Sequence, residues 1–317
     1  MLHKRIRIIT VVLLLVTLLS LVACLEDYDA PAAEPPAQAE PPVQTEPPVQ
    51  EPSPEEQDVD VCCFECEMPP LDGTMLEIIR DNPVVMLQLS PLTPGEELAI
   101  LHTNMGDITI RFFPEEAPQA VENFTTHARE GFYDGLIFHR VIPGFMIQGG
   151  CPQGTGTGGQ SIWGGTFGLE PSFNLRHFRG ALAMAHAGPG TIGSQFYIVQ
   201  NPDLARTGFV SQFEEYLANL DEFIGEFLDG TRKYLRDIHP EESLRYFIDN
   251  GGTPSLDWFW STDRQGMPSP AHAHPVFAHV VDGMDVVDAI ANTPRSAGDR
   301  PNEDMIIESI SFFIYGE

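Results

Sequence analysis

The sequence predicts a mainly β domain: a closed β-barrel capped at its ends by two helices, with a helical insertion. Three observations carry this reading. From Glu96 onward, short apolar runs of strand length recur between turn residues. Ile108, Ile110 and Phe112 alternate with Thr109 and Arg111, the period-two rhythm of a half-buried strand. Within that rhythm two stretches, Ala117 to Glu130 and Asp285 to Ala291, have apolar residues at helical spacing. Many short strands with two helices is the pattern of a capped barrel.

Ahead of the barrel the chain changes texture. Lys4, Arg5 and Arg7 form a positive head; Ile8 to Val22 is apolar but for Thr10, Thr17 and Ser20, and Cys24 follows Leu21-Val22-Ala23. A charged head, a short apolar core and small residues before a cut site describe an export signal. The core is too short for a comfortable membrane span. With a cysteine at that point, residues 1–23 resemble a bacterial lipoprotein signal peptide. The resemblance implies cleavage before Cys24, lipid attachment to its thiol, and an extracytoplasmic protein anchored to the cell membrane. The alternative is a plain N-terminal membrane anchor.

Residues 24–60 read as an acidic, proline-rich disordered tether. They repeat EPPAQA, EPPVQT and EPPVQ, with no Lys or Arg. Proline fixes φ and the glutamates repel one another, so the segment is expected to be an extended spacer. A recognition role for the PPVQ repeats is the alternative. Residues 61–95 are transitional and mixed. Cys62, Cys63 and Cys66 lie there, and in an exported chain they and Cys151 are candidates for pairing. CCFEC has no second ligand cluster at zinc spacing, which argues against a metal site.

The domain proper is expected over 96–317. Leu98 to Thr103 reads as a strand, Asn104-Met105-Gly106-Asp107 as a turn, and 108–112 as the returning strand of a hairpin. Ala117, Val121, Phe124 and Ala128 then repeat at helical spacing until Gly131 stops them. Phe138, Val141 and Phe145 to Ile147 predict strands around Pro143-Gly144. Ala181 to Ala185, Phe196 to Val199 and Val276 to Val281 predict further strands, Asp285 to Ala291 the second helix, and Met305 to Ile314 a closing strand. One segment departs from this rhythm. Phe213, Tyr216, Leu217, Leu220, Phe223, Ile224, Phe227 and Leu228 repeat near 3.6, and a second amphipathic piece runs from Pro240 to Ile248. This predicts a helical insertion at about 205–250, its apolar stripe packed on the barrel; covering the site is the alternative role.

The chain carries a formal net charge of −29. Nucleic-acid binding needs a basic face to neutralise phosphates, so the composition argues against it.

Four motifs carry the chemistry: FHRVIPGFMIQGG at 138–150, GTGTGG at 154–159, ALAMAHAGPGTIGSQFYI at 181–198 and PVFAHVVDGMDVV at 275–287. In this order they resemble the cyclophilin peptidyl-prolyl cis-trans isomerases, from about Leu98 to Ile314. The resemblance implies an eight-stranded antiparallel barrel with a proline-binding groove on its outer face. It further implies Arg140, Gln148 and Phe145 as catalytic residues. Met146, Tyr197 and Leu256 would line the proline pocket with Phe145. Gln148 would hold the substrate carbonyl and orient Arg140. Ala185 and His186 would pair with the peptide backbone, Gln195 would line the groove, and His274 would sit at its rim. The implied partners are proline-containing peptides and unfolded exported proteins.

The residues also make sense without the resemblance. Rotation about a peptide bond meets a barrier of about 18–20 kcal/mol because the nitrogen shares its lone pair with the carbonyl. The Xaa-Pro isomers differ by only about 0.5–1 kcal/mol, so the barrier is the obstacle. At the twisted transition state the nitrogen regains its lone pair and accepts a hydrogen bond. A guanidinium aimed there binds the transition state better than either ground state. No nucleophile, metal or cofactor is needed. Taken singly, Phe145 and Met146 read as core, Gln148 as a strand-edge hydrogen bonder, and His272 with His274 as a possible i, i+2 metal pair. GTGTGG lacks the lysine and following helix of a phosphate loop, and reads as tight turns beside the groove.

The chain departs from the family pattern at three places. His186 stands where asparagine is common, Tyr197 where phenylalanine is common, and Ser255 where an aromatic is expected. A second insertion follows at about 258–273, with Trp258 and Trp260 as candidates for the missing ring. The expected function is therefore a peptidyl-prolyl isomerase assisting the folding of exported proteins. The alternative is a proline-peptide binding or chaperone module with weak or no catalysis.

Overall fold

The structure is a computed structural model that describes residues 84–170, 172–188, 190–226, 232–257 and 273–317. The export signal, Cys24, the acidic tether, Cys62, Cys63, Cys66, Phe227, Leu228, Trp258, Trp260 and His272 lie outside the described residues.

The expected hairpin is β1 (Glu97–Thr103) and β2 (Gly106–Phe112). Its register sets Leu101 against Ile108 and Ala99 against Ile110, so all four apolar side chains fall on one fully buried face. Helix α1 (Pro118–Arg129) follows. Its N-cap, Ala117, has no side-chain acceptor. Glu170 supplies one from afar, its carboxylate accepting from the Gln119 N–H (2.9 Å) and the Ala120 N–H (2.8 Å). The short strands β3 (Arg140–Ile142), β4 (Met146–Gly149), β5 (Ala181–Met184) and β6 (Phe196–Val199) come next.

The insertion begins with α2 (Val210–Ala218). The sequence pattern extends this helix through Leu228; the chain instead forms a hairpin of β7 (Phe223–Glu226) and β8 (Arg232–Tyr234). Asn219 ends the helix. Its backbone N–H donates to the Tyr216 carbonyl (3.1 Å) and its side-chain amide to the Glu215 carbonyl (2.8 Å). Gly225, a poor helix former, then lies in the hairpin strand. Helices α3 (Leu235–Ile238) and α4 (Glu241–Asn250) complete the insertion. The chain closes with β9 (Val276–Asp282), α5 (Met284–Ala291) and β10 (Ile307–Ile314).

Eight strands form one curled antiparallel sheet in the order β10-β1-β2-β9-β5-β6-β4-β3. The expected ladder closure is absent: β10 and β3 remain edge strands. The gap is spanned by one isolated bridge, Ile137 to Ile306, with the Phe138 N–H donating to Met305 O at 2.9 Å and the Ile307 N–H to Leu136 O at 2.8 Å. Further along β3, the Val141 N–H donates to Asp299 O (2.8 Å), in the loop before β10. That loop takes the donor a closing ladder would use.

Inside the sheet, Phe124 of α1 packs against Phe112, Tyr133, Phe196 and Phe277 at centroid separations of 5.9, 5.1, 5.2 and 5.3 Å. Val287, Ile290 and Ala291 of α5 join the same core. A second cluster covers the outer face of β4, β5, β6 and β9, so β5 and β6 are buried on both faces. A third joins Phe213 of α2 and Leu244 and Phe247 of α4 to Phe178 just ahead of β5. The insertion thus keeps a small core of its own, docked on the barrel through Phe178. Met86 joins this core from ahead of Glu96, and Gln88 binds both backbone polar groups of Arg176. Cys151 is fully buried with a free thiol, and its candidate partners Cys62, Cys63 and Cys66 lie outside the described residues. Among the described residues no helix is long and apolar enough to cross a membrane.

Candidate active site

The site grows from the hairpin of β3 and β4. Between these strands Gly144 takes φ +78°, and the Phe145 N–H donates back to the Ile142 carbonyl (3.0 Å). The register pairs Arg140 with Gln148, then Gln148 with Tyr197 of β6, then Tyr197 with Ala183 of β5. Residues paired across a sheet share a face. Arg140, Gln148 and Tyr197 therefore form one row on the outer face, while Val141, Ile147 and Ile198 point into the core.

A cavity of about 200 Å³ opens on this face. It is lined by Arg140, Phe145, Met146, Gln148, Ala185, His186, Tyr197, Leu256 and His274. All nine were named from the sequence. The tenth, Gln195, accepts a hydrogen bond from Gln148 Nε2 at 3.0 Å and lines an adjoining cavity of about 390 Å³. Gln195 also donates to the carbonyls of Gly156 (3.1 Å) and Gly158 (2.8 Å). The GTGTGG turns thus fix Gln195, which in turn holds Gln148. They and Thr166, Ala187, Thr191 and Gly193 line the adjoining cavity, which the sequence reading did not foresee beyond tight turns beside the groove.

Arg140 is exposed, and among the described residues its guanidinium has no ion-pair partner. The preceding His139 is buried on the opposite side of the strand. Burial first, then the charges of Arg140 and Arg300, hold its imidazole down to about 4, so it is neutral near pH 7. His139 therefore adds no positive charge beside Arg140 near pH 7.

Leu256 reaches the cavity from the short turn Pro254–Leu256, and Ser255 beside it is exposed. The His274 N–H donates to the Leu256 carbonyl (3.2 Å), so the chain leaves at Leu256 and returns at the same wall. Across the rim, His186 stacks on His274 (4.1 Å, 28°) and its Nε2 lies 2.9 Å from the Ala273 carbonyl. His186 is thus part of the wall. The Ala185 N–H donates to Gln195 O (2.9 Å), which ties this edge of the cavity to β6's approach.

The Tyr197 hydroxyl finds its partner behind the wall. It lies 2.9 Å from Nε2 of His177, whose Nδ1 lies 2.6 Å from Asp257. Burial, then the Asp257 charge, raise the Tyr197 phenol well above its usual range, so it stays protonated. Sequence reasoning missed His177 and Asp257, and no local pattern marks them. Among the described residues no group of three or more His, Cys, Asp or Glu side chains is placed to hold a metal ion.

Known proteins give an independent view. The sequence profile of the family described as cyclophilin type peptidyl-prolyl cis-trans isomerase/CLD matches residues 98–312. A protein of Staphylococcus haemolyticus bearing the name of a peptidyl-prolyl cis-trans isomerase is 41% identical over 226 residues, covering 70% of this chain and 95% of its own length. A likewise named protein of Staphylococcus aureus (strain USA300) is 40% identical over 216 residues, covering 68% of this chain and 91% of its own. Among solved structures, a cyclophilin type peptidyl-prolyl cis-trans isomerase of Cryptosporidium parvum is 26% identical, with a TM-score of 0.47, over 69% of this chain and 97% of that one.

Proposed function

The chain belongs to the cyclophilin-type peptidyl-prolyl cis-trans isomerase family, and from that premise we propose that Arg140 lowers the barrier to rotation about Xaa-Pro bonds. The observation that carries the proposal is the row of Arg140, Gln148 and Tyr197 lining a small cavity shared with Phe145, Met146 and Leu256. At about 200 Å³ the cavity is smaller than the ~300–1,000 Å³ of pockets for drug-sized ligands. It suits one compact side chain. Phe145, Met146, Tyr197 and Leu256 take the prolyl ring, which fixes one side of the bond. Gln148, steadied by Gln195, holds the carbonyl of the preceding residue. Rotation then proceeds with the imide nitrogen beside the Arg140 guanidinium. The planar ground-state nitrogen has no lone pair to offer, and the pyramidal one does, so the hydrogen bond forms at the transition state. Arginine suits this task because it stays charged and its fork is rigid.

The test is a protease-coupled assay on a tetrapeptide containing Ala-Pro. The proposal expects cis-to-trans conversion well above the uncatalysed rate. Binding of the peptide without acceleration supports a binding module instead.

We further propose that the chain is exported, lipid-anchored through Cys24, and acts on chains emerging from the secretion machinery. Uncatalysed prolyl isomerisation takes about 10–100 s, slow enough to limit folding. The support is the order of the signal-like segment, Cys24 and the acidic tether in the sequence. Metabolic labelling with palmitate is expected to mark the wild-type chain and not Cys24→Ala; equal labelling contradicts the anchor.

A further inference from the structure

Behind Tyr197 and Leu256, which line the cavity, lie two residues that the proposed chemistry does not use. His177 is 1% exposed, Asp257 2% and Tyr197 3%. The three make a continuous chain: Asp257 Oδ1 to His177 Nδ1 at 2.6 Å, and His177 Nε2 to the Tyr197 hydroxyl at 2.9 Å. A carboxylate only accepts, so Nδ1 carries the hydrogen. In the neutral ring that leaves Nε2 as the acceptor of the Tyr197 O–H.

His177 also grips the turn that carries Leu256. Its backbone carbonyl accepts from the Thr253 N–H (2.8 Å), and its backbone N–H donates to Asp257 Oδ1 (2.7 Å). One residue therefore holds both ends of the Thr253–Asp257 turn while its side chain holds the opposite wall. The Tyr197 ring is further fixed by stacking on the His177 ring (6.1 Å, 18°) and by an edge contact with His274 (5.4 Å, 80°).

We infer that His177 is a positioning residue of the proline cavity, setting the spacing of the Tyr197 and Leu256 walls through the Tyr197 hydroxyl and the Asp257 carboxylate. The inference rests on the reading of this cavity as the prolyl site. A buried network made only for stability lowers the melting temperature when broken and leaves the folded cavity's affinity unchanged. A positioning network changes the affinity for the prolyl ring. The rate at saturation is unaffected, because Arg140 stands on β3, outside the chain of bonds.

The experiment uses the full chain and the peptide Ala-Ala-Pro-Phe, with the dissociation constant from NMR titration and the catalysed cis–trans exchange rate at saturation. His177→Leu is expected to weaken binding roughly tenfold and to keep the saturated rate within about twofold. Tyr197→Phe is expected to weaken binding by a similar factor. The double variant is expected to bind no more weakly than the worse single one, since both break the same link. In the wild type the nitrogen spectrum of His177 is expected to show Nδ1 protonated. Should His177→Leu fail to fold, Tyr197→Phe still tests the link, through its loss of affinity and a shift of the His177 Nε2 resonance.

Dissociation constants within twofold of wild type, or losses that add in the double variant, overturn the inference while wild-type catalysis stands. A wild type that binds without accelerating exchange overturns the proposed reaction and leaves the inference to be decided by the affinities. A wild type that binds no prolyl peptide overturns both.

Discussion

Arg140 and Gln148 stand directly opposite one another in the β3–β4 register, and both line the same cavity. They are held differently. Gln148 is tied to Gln195, whereas the Arg140 guanidinium has no ion-pair partner among the described residues. A fixed amide beside an uncommitted cation is the arrangement the proposed reaction needs. The carbonyl must be held still, and the charge must be available when the nitrogen becomes an acceptor.

The hold on Gln148 is testable on its own. Gln195→Ala removes the acceptor for Gln148 Nε2 and the bonds to the Gly156 and Gly158 carbonyls. A hydrogen bond of this kind is worth about 1 kcal/mol, so kcat/KM is expected to fall about fivefold. An unchanged kcat/KM would show that Gln148 positions itself without help.

Four buried histidines, His127 among them, are held below the ordinary histidine value and set a pH dependence. Burial, aided by nearby arginines, holds His139 and His279 down to about 4 and His239 to about 3, against an ordinary 6.5. Between those limits the unfolded chain binds protons that the folded chain does not, so stability rises with pH. The contribution is complete above 6.5 and is lost progressively on acidification towards 4. Relief of the −29 charge opposes this, but carboxylates titrate mainly near pH 4. The urea midpoint is therefore expected to be lower at about pH 5.5 than at about pH 7.5. A midpoint that is flat or higher at the acid end contradicts these assignments.

The insertion is predicted to be part of the fold's stability. Phe247 is fully buried against Phe178 and Phe213 at centroid distances of 4.6 and 5.5 Å. Phe247→Ala is expected to cost about 3–5 kcal/mol, read as a lowered urea midpoint. A loss under about 1 kcal/mol would mean the insertion folds and unfolds apart from the barrel.

Much of this was legible in the sequence because it is local. Period-two alternation gave β2, and the face of FHRVIPGFMIQGG followed from strand geometry once β3 and β4 were known. What was missed depends on contacts between distant residues. His177 and Asp257 are 80 positions apart, and neither stands in a pattern that announces the other. The β7–β8 hairpin was hidden because Phe223 and Ile224 continue the helical stripe of α2; Asn219 breaks the helix where periodicity does not. At the open ladder between β10 and β3 the Val141 N–H donates to Asp299 O in the preceding loop, and backbone bonds leave no trace in side-chain pattern.

The central claim is best tested by separating binding from rate in Arg140→Ala. The account predicts that kcat/KM for Xaa-Pro isomerisation falls about 10²–10³-fold, with the dissociation constant of the same peptide changed by less than about threefold. A variant that keeps its rate within twofold of wild type, or loses rate only in proportion to affinity, contradicts it.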